Sequence, residues 1–415
     1  MNQIGDDIVI ACCSHRLPAR SARHLVAGAL VSVVFSGPVV AAVSPFTSAE
    51  NAVPDSTDER RLWWSGDEGV EFYARSGRLY ADENATAYVQ RVVDQLFPEF
   101  KGKMIVHLIK ASDLNAFVVP NGHIFVNIGL LARFENEAQL ATVLGHEGTH
   151  FTHRHALREQ HKAENVTGFA SLVGHIGIPA RSLAASSILG YSRELETEAD
   201  TVGFRRLAAA GYDVHEAPKA FQHLMRDVEA EDIQAPYFYS THPKLQDRLD
   251  NMNRLSAKAA PGRPESMKRL SADAAPAGKG TSKSEYAAAM AKIKVDNLEA
   301  LLSMDRAKQA LIMLEEPERL ADLPPSGSYY LGEAYRRRGD PGDLALAEQA
   351  YQKAIQADPE FAPTYRALGM LCLQAKKWGE AQTYFERYLA LLPDAKDRKY
   401  VESYIKIAKE KAANQ

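Results

Sequence analysis

The chain has 415 residues, enough for two domains each with its own core. It is 46% hydrophobic and 25% charged, the composition of ordinary globular protein. A formal net charge of -4 without a basic stripe excludes direct nucleic-acid binding from the expected functions.

The head of the chain reads as an export signal spanning residues 1–42. Arg16, Arg20 and Arg23 precede an apolar stretch at 25–40, and the small residues Ala41 and Ala42 mark a cleavage site. Gly28, Gly37 and Pro38 interrupt that stretch, which is also short for a bilayer span, so a permanent anchor is the weaker reading. Cleavage would remove three arginines, two aspartates and two of the three cysteines. Cys372 would remain as the single thiol, unable to form an internal disulfide, so a periplasmic protein of this sequence is held by its cores and by any metal it binds. Beyond residue 42 no segment is long and apolar enough to span a membrane. The nearest candidate, 165–180, is broken by His175 and Pro179 and suits peripheral contact at most.

Apolar residues at helical spacing (Ala87, Val89, Val92, Val93, Leu96) predict a helix over 83–97, followed by a strand at 104–109. Two further strands, 117–120 and 123–128, flank Asn121-Gly122, a dipeptide that tolerates positive φ and suits a tight hairpin. One long helix is expected over 137–160 and another over 195–210, closed by Gly211. These elements make residues 55–256 a mainly α domain with a small β-sheet. Alanine, proline, glycine, serine and lysine then dominate 257–284, the composition of a solvated linker.

Residues 285–415 repeat themselves. Leu331-Gly332 and Tyr335 recur 37 residues later as Leu368-Gly369 and Cys372, while Ala347, Tyr351 and Pro359 recur 34 residues later as Ala381, Phe385 and Pro393. A 34-residue helix-turn-helix period with small residues where helices meet is similar to the tetratricopeptide repeat, and predicts an α-helical solenoid with a concave, partner-holding face. Residues 286–318 fit a degenerate pair before it, and 399–411 a capping helix.

The chemistry lies in His146-Glu147-Gly148-Thr149-His150. Histidines at i and i+4 share a helical face, so both imidazoles can reach one Zn²⁺, with Glu147 beside it as the base. An HExxH string arises by chance in roughly a few per cent of chains of this composition, so a third ligand decides the matter. Positions 153 and 156 are His and Ala, which rules out the HExxHxxGxxH pattern. Glu196 and Asp200 instead stand at i and i+4 on the later helix. There Glu196 can complete the ligand set while Asp200 accepts from the far nitrogen of a ligand histidine. Glycine at 148 is expected to soften the active helix, at about 1 kcal/mol relative to alanine. His153 and His155 are read as packing or hydrogen-bonding residues. His107, His123, His161, His175, His215 and His223 are read as structural or surface residues.

Several separated motifs stand in one order: Asn115-Ala116-Phe117, Gly129-Leu130-Leu131, HEGTH with Arg154-His155, Tyr191-Ser192-Arg193, Glu196 with Asp200, Gly211-Tyr212-Asp213 and Ser240-Thr241-His242-Pro243. In that order they resemble the zinc metallopeptidase family of HtpX and the CAAX prenyl proteases. The head and the repeats make the chain most similar to its soluble periplasmic members of BepA type. The resemblance covers about residues 55–255 and implies a zincin-type domain with one zinc per chain on His146, His150 and Glu196. It further implies Glu147 as catalytic base and His242 as a switch ligand that can hold the enzyme shut. One departure is Gly148, where the family usually carries a larger aliphatic residue. The strand His123, Ile124, Phe125, Val126 is expected to pair with an extended substrate.

The expected activity is endopeptidase cleavage of unfolded or misassembled envelope proteins. The repeats would dock substrate or an outer-membrane assembly complex. The competing expectation is a chaperone or assembly adaptor whose zinc site is structural or shut.

Overall fold

Short polar residues start the helices of the N-terminal half. Ser56 caps α1 (Thr57–Arg75), Asp82 caps α2 (Glu83–Leu96) and Asn136 caps α4 (Glu137–Thr152). In each case the side-chain oxygen accepts a first-turn backbone N–H that has no partner inside the helix. The computed structural model describes residues 43–164, 190–230, 245–259, 279–280, 282–315, 320–321 and 323–413. The expected export signal, the stretch 165–180, His242 and most of the expected linker lie outside the described residues. The ends of that linker are described: residues 257–259 finish a helix, and Gly280 O accepts Ala138 N at 3.0 Å, in the first turn of α4. No described helix is long and apolar enough to cross a membrane.

The described residues are mostly helical with one three-stranded sheet. β1 (Ile105–Ile109), β2 (Ala116–Val118) and β3 (His123–Asn127) lie in the order β1-β3-β2, with β3 parallel to β1 and antiparallel to β2. The hairpin turns at Gly122, whose φ of 94° a side chain would strain. A Cβ there would also stand 2.9 Å from Lys103 O. α3 (Ile128–Arg133) follows the sheet and leads into α4.

The expected helix over 137–160 is two helices. α4 ends at Thr152, and α5 (His155–Glu164) begins after Arg154, which takes φ 53°. No glycine or proline stands at this point, so the sequence carries no local signal of the break. Its cause is tertiary. The Arg154 guanidinium reaches Glu59 Oε2 and Asp55 Oδ1, each at 2.6 Å, and Ser44 O at 3.2 Å, and these contacts hold the backbone in its left-handed turn. α6 (Arg193–Ala209) ends ahead of Gly211, which takes φ 81° as expected for a helix terminator. α7 (Ala217–Ala230) and α8 (Leu245–Ala259) complete this half.

Seven helices follow among the described residues: α9 (Lys283–Ser303), α10 (Ala307–Leu314), α11 (Gly327–Arg338), α12 (Asp343–Ala357), α13 (Ala362–Gln374), α14 (Trp378–Leu391) and α15 (Arg398–Ala412). α9 packs on α3 and buries Tyr286, Met290, Ile293, Leu298 and Leu301 in the apolar cluster that begins at Phe46. Polar contacts reinforce that face: Tyr286 Oη donates to Leu131 O at 2.8 Å, Tyr80 Oη to Asp296 at 2.7 Å and Arg306 to Asp113 at 2.9 Å. Farther on, one contact occurs twice. A Cβ on Gly332 would stand 2.4 Å from the Tyr351 ring, and one on Gly369 2.7 Å from the Phe385 ring, so glycine lets a ring of the following helix lie against the helix backbone at both places.

Candidate metal centre

Two glycines bring the functional helices together. α4 and α6 cross at Gly145 and Gly203, where a Cβ on Gly203 would stand 2.8 Å from both Gly145 C and His146 N. With no side chain between the backbones, Glu196 of α6 reaches the imidazoles of α4. His146 Nε2 lies 2.9 Å from His150 Nε2 and 3.6 Å from Glu196 Oε2, and His150 Nε2 lies 3.5 Å from Glu196 Oε1. Tetrahedral zinc with ligands at about 2.0–2.1 Å separates neighbouring ligand atoms by about 3.3 Å, so this triangle fits the ion. All three side chains are buried, and they make a zinc-binding set of two imidazoles and one carboxylate.

Behind His146 stands a buried charge pair. Asp200 Oδ1 lies 2.8 Å from His146 Nδ1 and accepts from Arg248 Nη2 at 2.7 Å. Arg248 Nη2 is also 2.9 Å from His146 Nδ1. When Nε2 keeps its lone pair for a metal, Nδ1 carries the proton, so both nitrogens donate to Asp200 and neither accepts from the other. Burial alone would raise the Asp200 carboxyl, but the Arg248 charge and the His146 hydrogen bond outweigh it and hold the group down at about 2. Burial, followed by Arg248, pushes His146 down to about 4, which keeps the ring neutral and able to bind metal. Arg248 Nη1 also lies 3.5 Å from Glu196 Oε2, and the guanidinium sits 4.6 Å over the Phe221 ring.

His150 is supported differently. Its Nδ1 meets His155 Nδ1 at 2.9 Å, and the Tyr191 ring stacks on its face at 4.0 Å with 16° between planes. Glu147 is buried on the same helix, within electrostatic reach of Arg248. A cavity of about 190 Å³ opens between α6 and α8, lined in part by Arg193, Glu196, Thr197 and Asn251, and has room for more than a single water beside the carboxylate ligand.

Two expectations need correction. Gly148 does not serve to soften the helix. A Cβ there would stand 2.3 Å from the Phe97 ring and 2.8 Å from Met104 Cε, so glycine is what lets α4 lie against that core. The strand His123, Ile124, Phe125, Val126 cannot receive a substrate backbone, because it is the central strand: β1 pairs along one side and β2 along the other. His123 instead hydrogen-bonds His107 at 2.7 Å.

The structure brings His146, His150, Glu196 and Asp200 together, Glu147 follows His146 on the same buried helix, and His242 lies outside the described residues. Among the other histidines, His215 bonds Ser256 at 2.8 Å and His223 lies 3.5 Å from Glu135. Sequence reasoning missed Arg248, because a lone arginine on an amphipathic helix reads as solvated. It also missed Tyr191 as a support for His150, and named His155 without its partner.

Residues 82–256 match the model described as Peptidase family M48. The chain is 34% identical over 176 residues to the mitochondrial metalloendopeptidase OMA1 of Bos taurus, covering 37% of this chain and 33% of that one. It is 30% identical over 169 residues to the putative beta-barrel assembly-enhancing protease of Vibrio cholerae, covering 37% and 35%. Against the beta-barrel assembly-enhancing protease of Escherichia coli it is 25% identical over 254 residues, covering 55% and 52%. The matched part of the chain thus spans between a third and about half the length of these relatives.

Proposed function

We propose that the segment 82–256, which matches the model described as Peptidase family M48, is a zinc metallopeptidase domain, and that the whole chain is a zinc-dependent endopeptidase of the cell envelope that cleaves unfolded or misassembled proteins. The observation that carries the reading is the approach of the Glu196 carboxylate, from α6, to two Nε2 atoms of α4 with Glu147 one residue from His146. Bound zinc supplies Lewis acidity to this site. The Glu147 carboxylate takes a proton from the attacking water as its oxygen bonds to the peptide carbonyl carbon. It returns that proton to the amine as the C–N bond breaks. Asp200 and Arg248 fix the His146 ring behind this exchange. Among the described strands β1 and β2 are the outer ones, and β2 is the one that packs on α4, which makes it the better place for an extended substrate.

Two relatives named for β-barrel assembly support an envelope location, and the export signal read from residues 1–42 points to the periplasm. The recurring glycine-ring contact supports a tetratricopeptide-type solenoid in α11–α14, placed to dock substrate or an outer-membrane assembly complex. His242 remains a candidate switch ligand. The test is metal analysis with cleavage of an unfolded casein-type protein. Wild type should hold one zinc and cleave, and Glu147→Gln should hold zinc and lose cleavage by orders of magnitude. Equal cleavage by both, or a wild type without zinc, would overturn the assignment. Restoration of envelope integrity by Glu147→Gln, with failure on loss of 285–415, would favour the adaptor function.

A further inference from the structure

We propose that His155 is a positioning residue for the metal ligand His150, holding that ring so that Nε2 faces the metal. The proposal rests on the zinc-peptidase assignment above and concerns how this chain supports one of its ligands.

The argument begins with the break between α4 and α5. The left-handed turn at Arg154 separates the two helices, and His155, the first residue of α5, lies against His150 in the last turn of α4. His155 is fully buried there, with Nδ1 2.9 Å from His150 Nδ1. Two imidazoles sharing a hydrogen bond through their Nδ1 atoms must differ in tautomer, one donating and the other accepting. His150 Nε2 faces His146 Nε2 and Glu196 Oε1, so its lone pair is committed to the ligand set. His150 therefore carries its proton on Nδ1 and donates, and His155 accepts.

That assignment fixes the next link. His155 must hold its own proton on Nε2, which makes no hydrogen bond among the described residues, Glu198 Oε2 lying 3.8 Å away. The Glu198 carboxylate is itself held by Arg158 Nη2 at 2.8 Å. Glu198 lies on α6 two residues after Glu196. The ring of Tyr191 closes the face of His150 and meets His155 edge-on at 6.0 Å. His150 is thus restrained through its far nitrogen and one ring face.

The two ligand histidines are unequal as a result. His146 donates to the charged Asp200 carboxylate, which strengthens the ligand, whereas His150 donates to a neutral imidazole, a weaker acceptor. Placement of His150 therefore depends on the geometry of His155, and loss of the acceptor releases the ring to turn.

The experiment measures zinc affinity of the full chain by competition with a chromogenic chelator. His155→Phe keeps ring volume but offers no acceptor, and His155→Gln restores one through its carbonyl oxygen. Loss of the acceptor should weaken zinc binding about 10- to 100-fold, the range typical of such outer partners, and Gln should recover most of it. Unfolding of the metal-free forms is followed in parallel. Wild-type affinity in His155→Phe would overturn the proposal. So would equal weakening in Phe and Gln that tracks their metal-free stability, since that marks a space-filling role. A wild type that binds no zinc would defeat the peptidase assignment and this proposal together.

Discussion

Arg248 Nη2 donates to Asp200 Oδ1 at 2.7 Å, and both groups are buried behind the His146 ring. Removing one partner of a buried pair strands the other charge, which typically costs about 3–5 kcal/mol, whereas replacing both with apolar groups is often close to neutral. Arg248→Met alone should therefore destabilise the metal-free chain strongly, and Arg248→Met with Asp200→Leu should cost much less than the sum of the single changes. Denaturant unfolding of the four proteins checks this, and additive effects would show that the pair is uncoupled. Zinc affinity should fall in every variant, because His146 loses its acceptor or the group that fixes it.

Gly148→Ala sets helix propensity against packing. Alanine favours an exposed helix interior by about 1 kcal/mol over glycine, but a methyl 2.3 Å from the Phe97 ring overpacks a closed core, at about 1–3 kcal/mol. The packing cost wins, so the variant should unfold at lower denaturant concentration than wild type. A more stable variant would mean that Phe97 and Met104 move aside freely.

Cys372 gives a pH-dependent prediction away from the metal. Burial, aided by the Glu380 charge, pushes the thiol up to about 11 from an ordinary value of 9. Its contribution to stability is fully present below pH 9 and is lost as pH rises towards 11. Alkylation of the native chain should be slow at pH 8 and become fast only at higher pH or after unfolding. Rapid modification at pH 8 in the folded state would contradict the burial of this side chain.

Tyr286 carries the contact between the C-terminal helices and the peptidase half. Tyr286→Phe leaves Leu131 O buried without its hydroxyl donor, which should cost about 1–3 kcal/mol. Cutting the chain after residue 259 does more: it uncovers the α3 surface on which α9 packs and removes Arg306 from Asp113. That fragment should aggregate or unfold at markedly lower temperature than the full chain. Equal thermal midpoints would show that residues 55–256 fold independently.

What the sequence made legible follows the range of each signal. The ligand set was readable because i, i+4 spacing places His146 with His150, and Glu196 with Asp200, by local helix geometry alone. The hairpin was readable from Asn121-Gly122, and the end of α6 from Gly211. Arg154 was not, since its φ is set by Glu59 and Asp55, about a hundred positions away. Arg248 was invisible for the same reason, as its partner Asp200 is 48 residues earlier. The place of β3 within the sheet depends on β1 coming alongside it, which no alternation pattern encodes. Gly148 looked like a defect in a helix because the ring of Phe97 that explains it lies on another element.

Gly203 should be a sensitive position outside the ligands. A Cβ there would meet Gly145 C and His146 N at 2.8 Å and Gly145 O at 2.9 Å, all of them backbone atoms that cannot rotate away as a flexible side chain could. Gly203→Ala can be accommodated only if α4 and α6 move apart by some tenths of an ångström or more. Such a shift carries Glu196 away from both Nε2 atoms and also pulls Asp200 from His146 Nδ1, so one methyl group disturbs two supports of the metal at once. The neighbouring change Phe204→Leu, one residue farther along the same helix and buried, serves as the control for general loss of core packing. Gly203→Ala is expected to lose zinc affinity by more than its loss of metal-free stability explains, while Phe204→Leu loses stability with affinity largely kept. If Gly203→Ala bound zinc as tightly as wild type, the close approach of the two helices would not be what assembles the centre.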